Sequence, residues 1–443
     1  VFLGFMRDLP IIILVFLITA LGGCSKAPAE HKDRVVVDYW EMWTDFEFQA
    51  AKDLVDKFNN SQNEIFVNLT SVAEIEQKLL IAIAGRNPPD LANLQNSSIS
   101  QFADKNAIER LDDLLPAMGI HKEDYIDICW KVCQYENGTY GLPIVPTTVA
   151  LHWNKDIFKQ AGLDPDKPPQ TIEELDAFAK KLTFLKPDGG YDTVGFSPTQ
   201  PGWWNYAWVW WFGGDWWDGK NITANTKENI EAFKWMQSYA KNYGARALQD
   251  FTSGFGPFSW SSDRFTSGKL GMTLQGVWLS RFLQEFAPQL NWSAEALPSA
   301  GGKLKNVTMV ECNVLVVPKG AKHKNEAAKF IAFMQRPENL KYLALKQNKF
   351  VPLKTANQMD FSKHPNKEIK LFIALSQSPN AHSVPQIPIW YEYAREIDNA
   401  FQFVWLEKKT PEQALNEVQR RMEIKWSDYC KLKQKRMAIR KAG

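Results

Sequence analysis

Residues 34–95 switch repeatedly between two hydrophobic periods, and that alternation restricts the fold more than any other part of the chain. Arg34 to Trp40, RVVVDYW, is a β-branched run bounded by charge, as a buried strand requires. Thr44 and Glu47 have the spacing of a capping box, and Phe48, Ala51, Val55 and Phe58 then recur at helical spacing. Ile65, Val67 and Leu69 alternate as a second strand. Glu74 to Ala84 reads as a helix ended by Gly85, and Pro89 to Leu94 as a third strand. Strand, helix, strand, helix, strand implies parallel pairing through right-handed crossovers. Ligands of such sheets bind beyond the carboxyl ends of the strands, here Trp40 to Trp43 and Gln95 to Ser98.

With 443 residues the chain exceeds one ordinary core, so two domains are expected. His121 to Gln134 reads as a helix, and Asn137-Gly138 as a hairpin turn between Tyr135 and Tyr140. Ile144 to Trp153 has little charge and reads as a strand crossing between lobes; Phe350-Val351-Pro352 is a second crossing point. Thr171 with Glu174 is another capping box, and Thr193 to Ser197 a strand. Leu270 to Leu274, Trp292 to Leu297 and Val314 to Val317 also read as strands. The closing helix, Pro411 to Arg436, carries Leu415, Val418, Met422 and Tyr429 on one stripe.

Seven of the 18 Trp fall between Trp203 and Trp217. Trp is bulky and its N–H needs a partner, so a core alone rarely asks for that density. Flat rings beside Asn205, Asp215 and Asp218 suit a flat, hydroxylated, uncharged ligand such as a sugar. Trp204, Trp208 and Trp211 share one helical face, with Trp203, Ala207 and Trp210 on the next. The first turn is expected to meet ligand, Trp208 and Trp211 to pack inward, and Trp216 and Trp217 to form a rim. Asn225 is expected to cap the next helix.

Leu9 to Leu21 is a largely apolar run behind Arg7. It is short for a membrane span of about 20 residues and suits a signal-peptide core of about 7–15. Leu21-Gly22-Gly23-Cys24 resembles the bacterial lipobox, which implies a diacylglycerol anchor on Cys24 and cleavage before it. Residues 1–24 are then signal and lipidated Cys, and 25–33 a polar tether. Cys129, Cys133, Cys312 and Cys430 have no C-x-x-C spacing and His is sparse, so no metal or cofactor is expected. Cys129 and Cys133 read as two buried thiols. A net charge of +2 leaves no nucleic-acid footprint.

Several segments resemble one family in order and spacing. Ala84 to Leu91 is similar to its AGxxPD segment, with one extra residue before Asp90. Leu151 to Phe158 is similar to its LYYNKDxF, and Ala161 to Asp164 with Pro168 to Leu175 to its AGLD…PPxTWdEL. Gly268 to Trp278 resembles GxxAMxxxGxW, and Val316 to Ile331 resembles VxPxGxKxxEAAxxFI. The chain looks like an extracellular solute-binding protein of a sugar ABC transporter. The resemblance implies an α/β, two-lobed periplasmic-binding-protein-like fold, each lobe a mainly parallel sheet flanked by helices, with hinge strands between. Residues 34–146 plus 307–353 would form the N-terminal lobe, and 147–306 plus 354–443 the C-terminal lobe.

The resemblance further implies a monomer that captures a carbohydrate between the lobes and delivers it to permease subunits. Its location would be the periplasm or the outer face of the cell membrane, held by the lipid on Cys24. Position by position, it offers Trp40, Trp43, Gln95, Asn96, Thr147, Thr148, Trp203, Trp204, Asn205, Trp278, Glu311 and Asn313, with Trp390 or Tyr391 from the C-terminal region. Two departures stand out: His152-Trp153 replaces a Tyr pair, and Glu311-Cys312-Asn313 stands where small residues are usual. The alternative is a secreted glycosidase, for which Glu41, Asp215 and Glu311 are the available carboxylates.

Overall fold

A computed structural model of the protein describes residues 33–442, apart from 259, 260 and 359. The signal segment, the lipobox at Cys24 and the tether up to residue 32 lie outside the described residues. β1 (Val35–Glu41), β2 (Ile65–Ser71) and β3 (Leu91–Gln95) form a parallel trio with β1 in the middle. α1 (Asp45–Ser61) and α2 (Ile75–Ala84) are the crossovers. α1 buries Ala51, Leu54, Val55 and Phe58.

Local chemistry departs from expectation at three places here. Thr44 occupies the N-cap of α1, but its hydroxyl bonds the Asp45 carboxylate at 2.9 Å and caps no N–H. Asp45 stands at φ 49°, so the first turn lacks the geometry of a capping box. Gly85 does cap the end of α2 as expected, but in helical geometry (φ −74°); the left-handed residue is the next one, Arg86 (φ 57°). The stretch 121–134 is broken rather than one helix. After α3 (Ile99–Asp104) and α4 (Leu115–Met118) come a 3₁₀ turn, Lys122–Asp124, and the short α5 (Asp127–Lys131).

β4 (Gln134–Tyr135) and β5 (Gly138–Thr139) form the expected hairpin, with the turn one residue earlier. Gly138 pairs with Tyr135, so Glu136 and Asn137 turn the chain and Glu136 takes φ 51°. β6 (Leu142–Asn154) follows, and all of its 13 residues are buried. Then come α6 (Lys155–Gln160), α7 (Ile172–Lys181) and a small hairpin of β7 (Phe184–Leu185) with β8 (Tyr191–Thr193). Here the capping box forms. Thr171 Oγ1 accepts from Glu174 N at 3.1 Å, and the Glu174 carboxylate accepts from Gln170 N at 2.7 Å. Beyond β8 the expected strand reduces to a parallel bridge between Val194 and Leu270.

The Trp stretch is a 3₁₀ helix, Asn205–Phe212, ended by Gly213 at φ 81°. With about three residues per turn, Trp208 meets Trp211 at 5.7 Å between centroids, tilted by 49°, while Trp204 stays outside the first turn. Trp208, Trp210, Trp211 and Trp216 are all buried. Trp216 belongs to the core and not to a rim. Its indole N–H donates to Tyr206 O at 2.8 Å, and its ring meets Phe233 and Tyr393 edge-on. α8 (Lys227–Tyr243) is capped by Thr226, one residue past Asn225, through the Thr226 hydroxyl and Asn229 N.

The chain continues through α9 (Ala245–Ser253), β9 (Met272–Gly276), α10 (Leu279–Phe286), β10 (Trp292–Glu295) and β11 (Thr308–Val316). α11 (Lys324–Met334), α12 (Pro337–Lys346), α13 (Ile369–Ser376), β12 (Ala381–His382), α14 (Trp390–Trp405) and α15 (Pro411–Ala442) complete it. The main sheet runs β10-β6-β11-β3-β1-β2, with β9 also on β6 and β12 also on β11. The first part of β6 pairs with β11; its second part pairs with β9 and β10. All three pairings are antiparallel, where mainly parallel sheets were expected. β9 and β10 both run antiparallel to the second part of β6, so no βαβ crossover links them to it. α15 buries Leu415, Val418 and Met422 and then reaches back to α3, where Tyr429 Oη lies 2.5 Å from Asp104 Oδ1.

Trp208→Ala and Trp211→Ala should each destabilise the fold by about 3–5 kcal/mol in urea denaturation, as deletion of a large core aromatic does. Trp203→Ala, at a residue 47% exposed, should cost under about 1 kcal/mol. Equal midpoints for all three variants would show that the inner and outer rings have been confused.

Candidate functional site

The loop that leaves β1 is held from below by a buried acid. Glu41 is fully buried and its carboxylate accepts from four donors: Tyr39 Oη, Met42 N at 2.8 Å, Trp43 N at 3.1 Å and Asn93 Nδ2 at 2.6 Å. Burial still pushes its pKa up to about 7 against those hydrogen bonds. The result is a rigid turn that sends Met42 and Trp43 upward at the carboxyl edge of the sheet.

Above that turn lies a cavity of about 370 Å³. Trp43, Gln95 at the end of β3, Thr147 of β6, and Glu311 and Asn313 of β11 form one side. Trp203, Trp204, Phe258, Trp278 and Phe282 form the other. These five rings make a continuous chain. Trp278 meets Trp204 at 5.8 Å between centroids, Trp204 meets Trp203 at 5.4 Å, Trp203 meets Phe258 at 5.1 Å and Phe258 meets Phe282 at 4.9 Å. Most contacts are edge-to-face, the preferred geometry of aromatic pairs. Gly276 makes room for the first ring: a Cβ there would lie 2.2 Å from the Trp278 indole. The spacing of Gly276 and Trp278 in sequence is therefore a steric requirement.

Three charged side chains line the cavity. Lys349 is buried, ion-pairs with Glu47 at 2.7 Å, and sits 5.6 Å over the Trp43 ring. Glu311 is different. Its backbone carbonyl accepts from Thr147 Oγ1 at 3.2 Å, but its carboxylate makes no hydrogen bond among the described residues. Burial alone pushes it up to about 7.

Of the residues expected from sequence, Trp43, Gln95, Thr147, Trp203, Trp204, Trp278, Glu311 and Asn313 surround this cavity. Five others do not. Trp40 alternates with the buried Tyr39 and Glu41, which puts it on the opposite face of β1. Thr148 follows Thr147 and for the same reason points away, its hydroxyl donating to Phe372 O at 3.0 Å. Asn96 is used structurally, accepting from Cys312 N at 2.9 Å and donating to Ser383 Oγ at 3.2 Å. Asn205 lines a separate cavity. Trp390 packs edge-on against Tyr206 and Tyr393 in the core, while Tyr391 Oη bonds Ser98 Oγ at 2.8 Å.

Phe258, Phe282, Thr44, Glu47, Cys312 and Lys349 line the cavity without having been expected, and Met42 does so from the strand end that was. Phe282 had a signal, since it lies one helical turn after Trp278. Lys349 had none: an isolated lysine in sequence does not announce burial. Among the carboxylates open to a glycosidase, Glu41 is consumed by its four donors and Asp215 is exposed, accepting from Trp216 N at 2.7 Å. Only Glu311 of the three lines the cavity.

Residues 53–369 match the bacterial extracellular solute-binding protein family. A binding protein of Brucella abortus (strain 2308) is 27% identical over 351 residues, 77% of this chain and 80% of that protein. The sn-glycerol-3-phosphate-binding periplasmic protein UgpB of Pectobacterium atrosepticum is 24% identical over 412 residues, covering 85% of this chain and 88% of its own. Among solved structures, CpMnBP1 with mannotriose bound is similar at a TM-score of 0.78 and 29% identity, covering 87% of this chain and 99% of that one. UgpB from Mycobacterium tuberculosis in complex with glycerophosphocholine is similar in fold, with a TM-score of 0.72 at 20% identity, covering 89% and 99%.

Gly276→Ala should push the Trp278 indole out of its place while β9 survives. A changed near-UV circular dichroism spectrum with an unchanged far-UV spectrum checks this, and identical near-UV spectra would contradict the steric argument. Glu311 has its ordinary value at 4.5 and a raised value in the folded chain. Its contribution to stability is therefore complete below pH 4.5 and lost as the pH rises through about 7. Glu311→Gln should then be more stable than the parent at pH 8, on the order of 2 kcal/mol, and equal to it near pH 4. Urea denaturation at both pH values measures the difference.

Proposed function

We propose that this chain, which belongs to the bacterial extracellular solute-binding protein family, captures a neutral sugar or oligosaccharide in the aromatic-walled cavity. The general role, a solute-binding protein of an ABC transporter with no catalytic activity, follows from the family and the fold. The observation that carries the sugar reading is the pairing of five linked rings on one wall with uncharged and acidic hydrogen-bonding groups on the other. Rings take the C–H faces of a pyranose; Gln95, Thr147, Asn313 and Glu311 take its hydroxyls. Burial pushes the Glu311 pKa up to about 7, so its carboxyl can donate to a ligand hydroxyl when protonated and accept from one in either state.

Charge argues against a phosphate ester, the ligand class of some relatives. A phosphate needs a free cation or several aimed N–H groups. The lysine of the cavity is already neutralised by Glu47, and Glu311 adds negative charge to the same space. In this reading residues 34–146 with 307–353 and 147–306 with 354–443 are the lobes, and β6 and β11 carry the hinge on which they close. The lipobox at Cys24 would hold the protein outside the cell beside its permease.

Thermal shift against mannotriose, maltotriose, sn-glycerol 3-phosphate and glycerophosphocholine tests the ligand class. A neutral saccharide at 100 times its Kd should add about 2.7 kcal/mol of stability. Trp278→Ala should weaken that saccharide at least about tenfold, or about 1.4 kcal/mol. Stabilisation by the phosphate esters alone would overturn the reading.

A further inference from the structure

Three thiols meet behind the floor of the cleft. Glu311 and Asn313 face the cavity from β11, so Cys312 between them turns its side chain to the opposite face of the strand. α5 packs on that face, and its Cys129 thiol meets the Cys312 thiol side chain to side chain. Cys129 and Cys133 are fully buried, and Cys312 is 1% exposed. All three are free thiols in the structure.

Their partners differ. Cys133 Sγ lies 3.4 Å from Cys129 O, one helical turn back, so its S–H is spent on the backbone. Cys129 and Cys312 instead converge from segments far apart in sequence, with their thiols facing. That is the first condition of a disulfide, since Cys side chains that point apart cannot be bridged. Among the described residues no three His, Cys, Asp or Glu are grouped to hold a metal ion, so the chemistry open to the pair is that of thiols. The family is extracellular, and disulfides form and persist in that compartment.

We propose that Cys129 and Cys312 are joined by a disulfide in the exported protein. The bond forms between the two Sγ atoms. Two thiol protons and two electrons pass to a small-molecule or protein disulfide, which leaves as two thiols. Burial pushes the Cys312 thiol pKa up, which makes it inert once the chain is folded. Oxidation therefore accompanies folding, while both thiols are open to the oxidant, and the finished bond is sealed from reductants. It ties α5 to β11 directly behind Glu311 and Asn313. It also closes a long stretch of chain, the case in which a disulfide restricts the unfolded state most.

The test is peptide mapping of the exported chain, isolated without reductant and alkylated with iodoacetamide in urea. Trypsin places Cys129 in the peptide 123–131, apart from Cys133, and Cys312 in 306–319. The expected result is a linked pair of these two peptides that dithiothreitol separates. Both peptides fully alkylated, or Cys129 joined to the peptide of Cys133 or Cys430, overturns the proposal. Melting supplies a second readout. The parent refolded in dithiothreitol should melt at least about 3 °C below the parent as isolated. Cys129→Ser and Cys312→Ser should show no such difference between the two preparations. An equal difference in the variants would put the bond elsewhere and overturn this pairing.

Discussion

A strand without an exposed residue joins the two ends of the main sheet. β6 pairs with β11 in its first part and with β9 and β10 in its second, so β9 and β10 join the main sheet only through it. A strand offers alternate residues to opposite faces. At the middle of β6 that alternation gives Thr147 to the cavity and Thr148 to α13. β11 runs against it in register, Glu311 opposite Thr147, which places the unpaired carboxyl in the cleft. Carboxyl and hydroxyl are side by side because two backbones are hydrogen-bonded there.

The remaining geometry follows from two acids in opposite settings, Glu41 fully buried and Glu311 partly open. Glu41 is saturated with donors, so it fixes the turn that presents Trp43 and does no recognition. Glu311 has the same raised proton affinity but no hydrogen-bond partner for its carboxyl among the described residues, so that carboxyl stays open to the cavity. Opposite them the aromatic wall is rigid for a steric reason. Its five rings brace one another, and the absence of a Cβ at Gly276 leaves the space that the Trp278 ring fills. Lys349 and Glu47 cancel each other under Trp43, which leaves the cleft with little net charge beyond Glu311.

The layout of elements was largely legible because hydrophobic period reports which face is buried. The βαβαβ start, the crossing strand and the stripe of α15 lie where their patterns put them. The errors are of a different kind. Tyr135 pairs with Gly138 and moves a turn by one residue. Thr226 caps α8 in place of Asn225, and Thr44 caps nothing. Each depends on backbone angles at one or two residues, such as φ 49° at Asp45 and 51° at Glu136, and composition does not report those.

For the site, the sequence by itself determined the material: a dense supply of Trp, acids and amides at strand ends, and the glycine two residues before Trp278. Residue type and spacing carry that information, since they state what chemistry is available and roughly where along an element. Only the tertiary structure decided which of these groups meet. It sent Trp40 to the far face of β1, Trp390 into the core and Asn205 to a different cavity, and it brought Phe258 and Lys349 to the cleft from distant segments. Which groups meet depends on strand parity, on the pitch of a 3₁₀ helix and on contacts between segments hundreds of residues apart. A linear pattern cannot encode those, because they exist only once the sheet is closed.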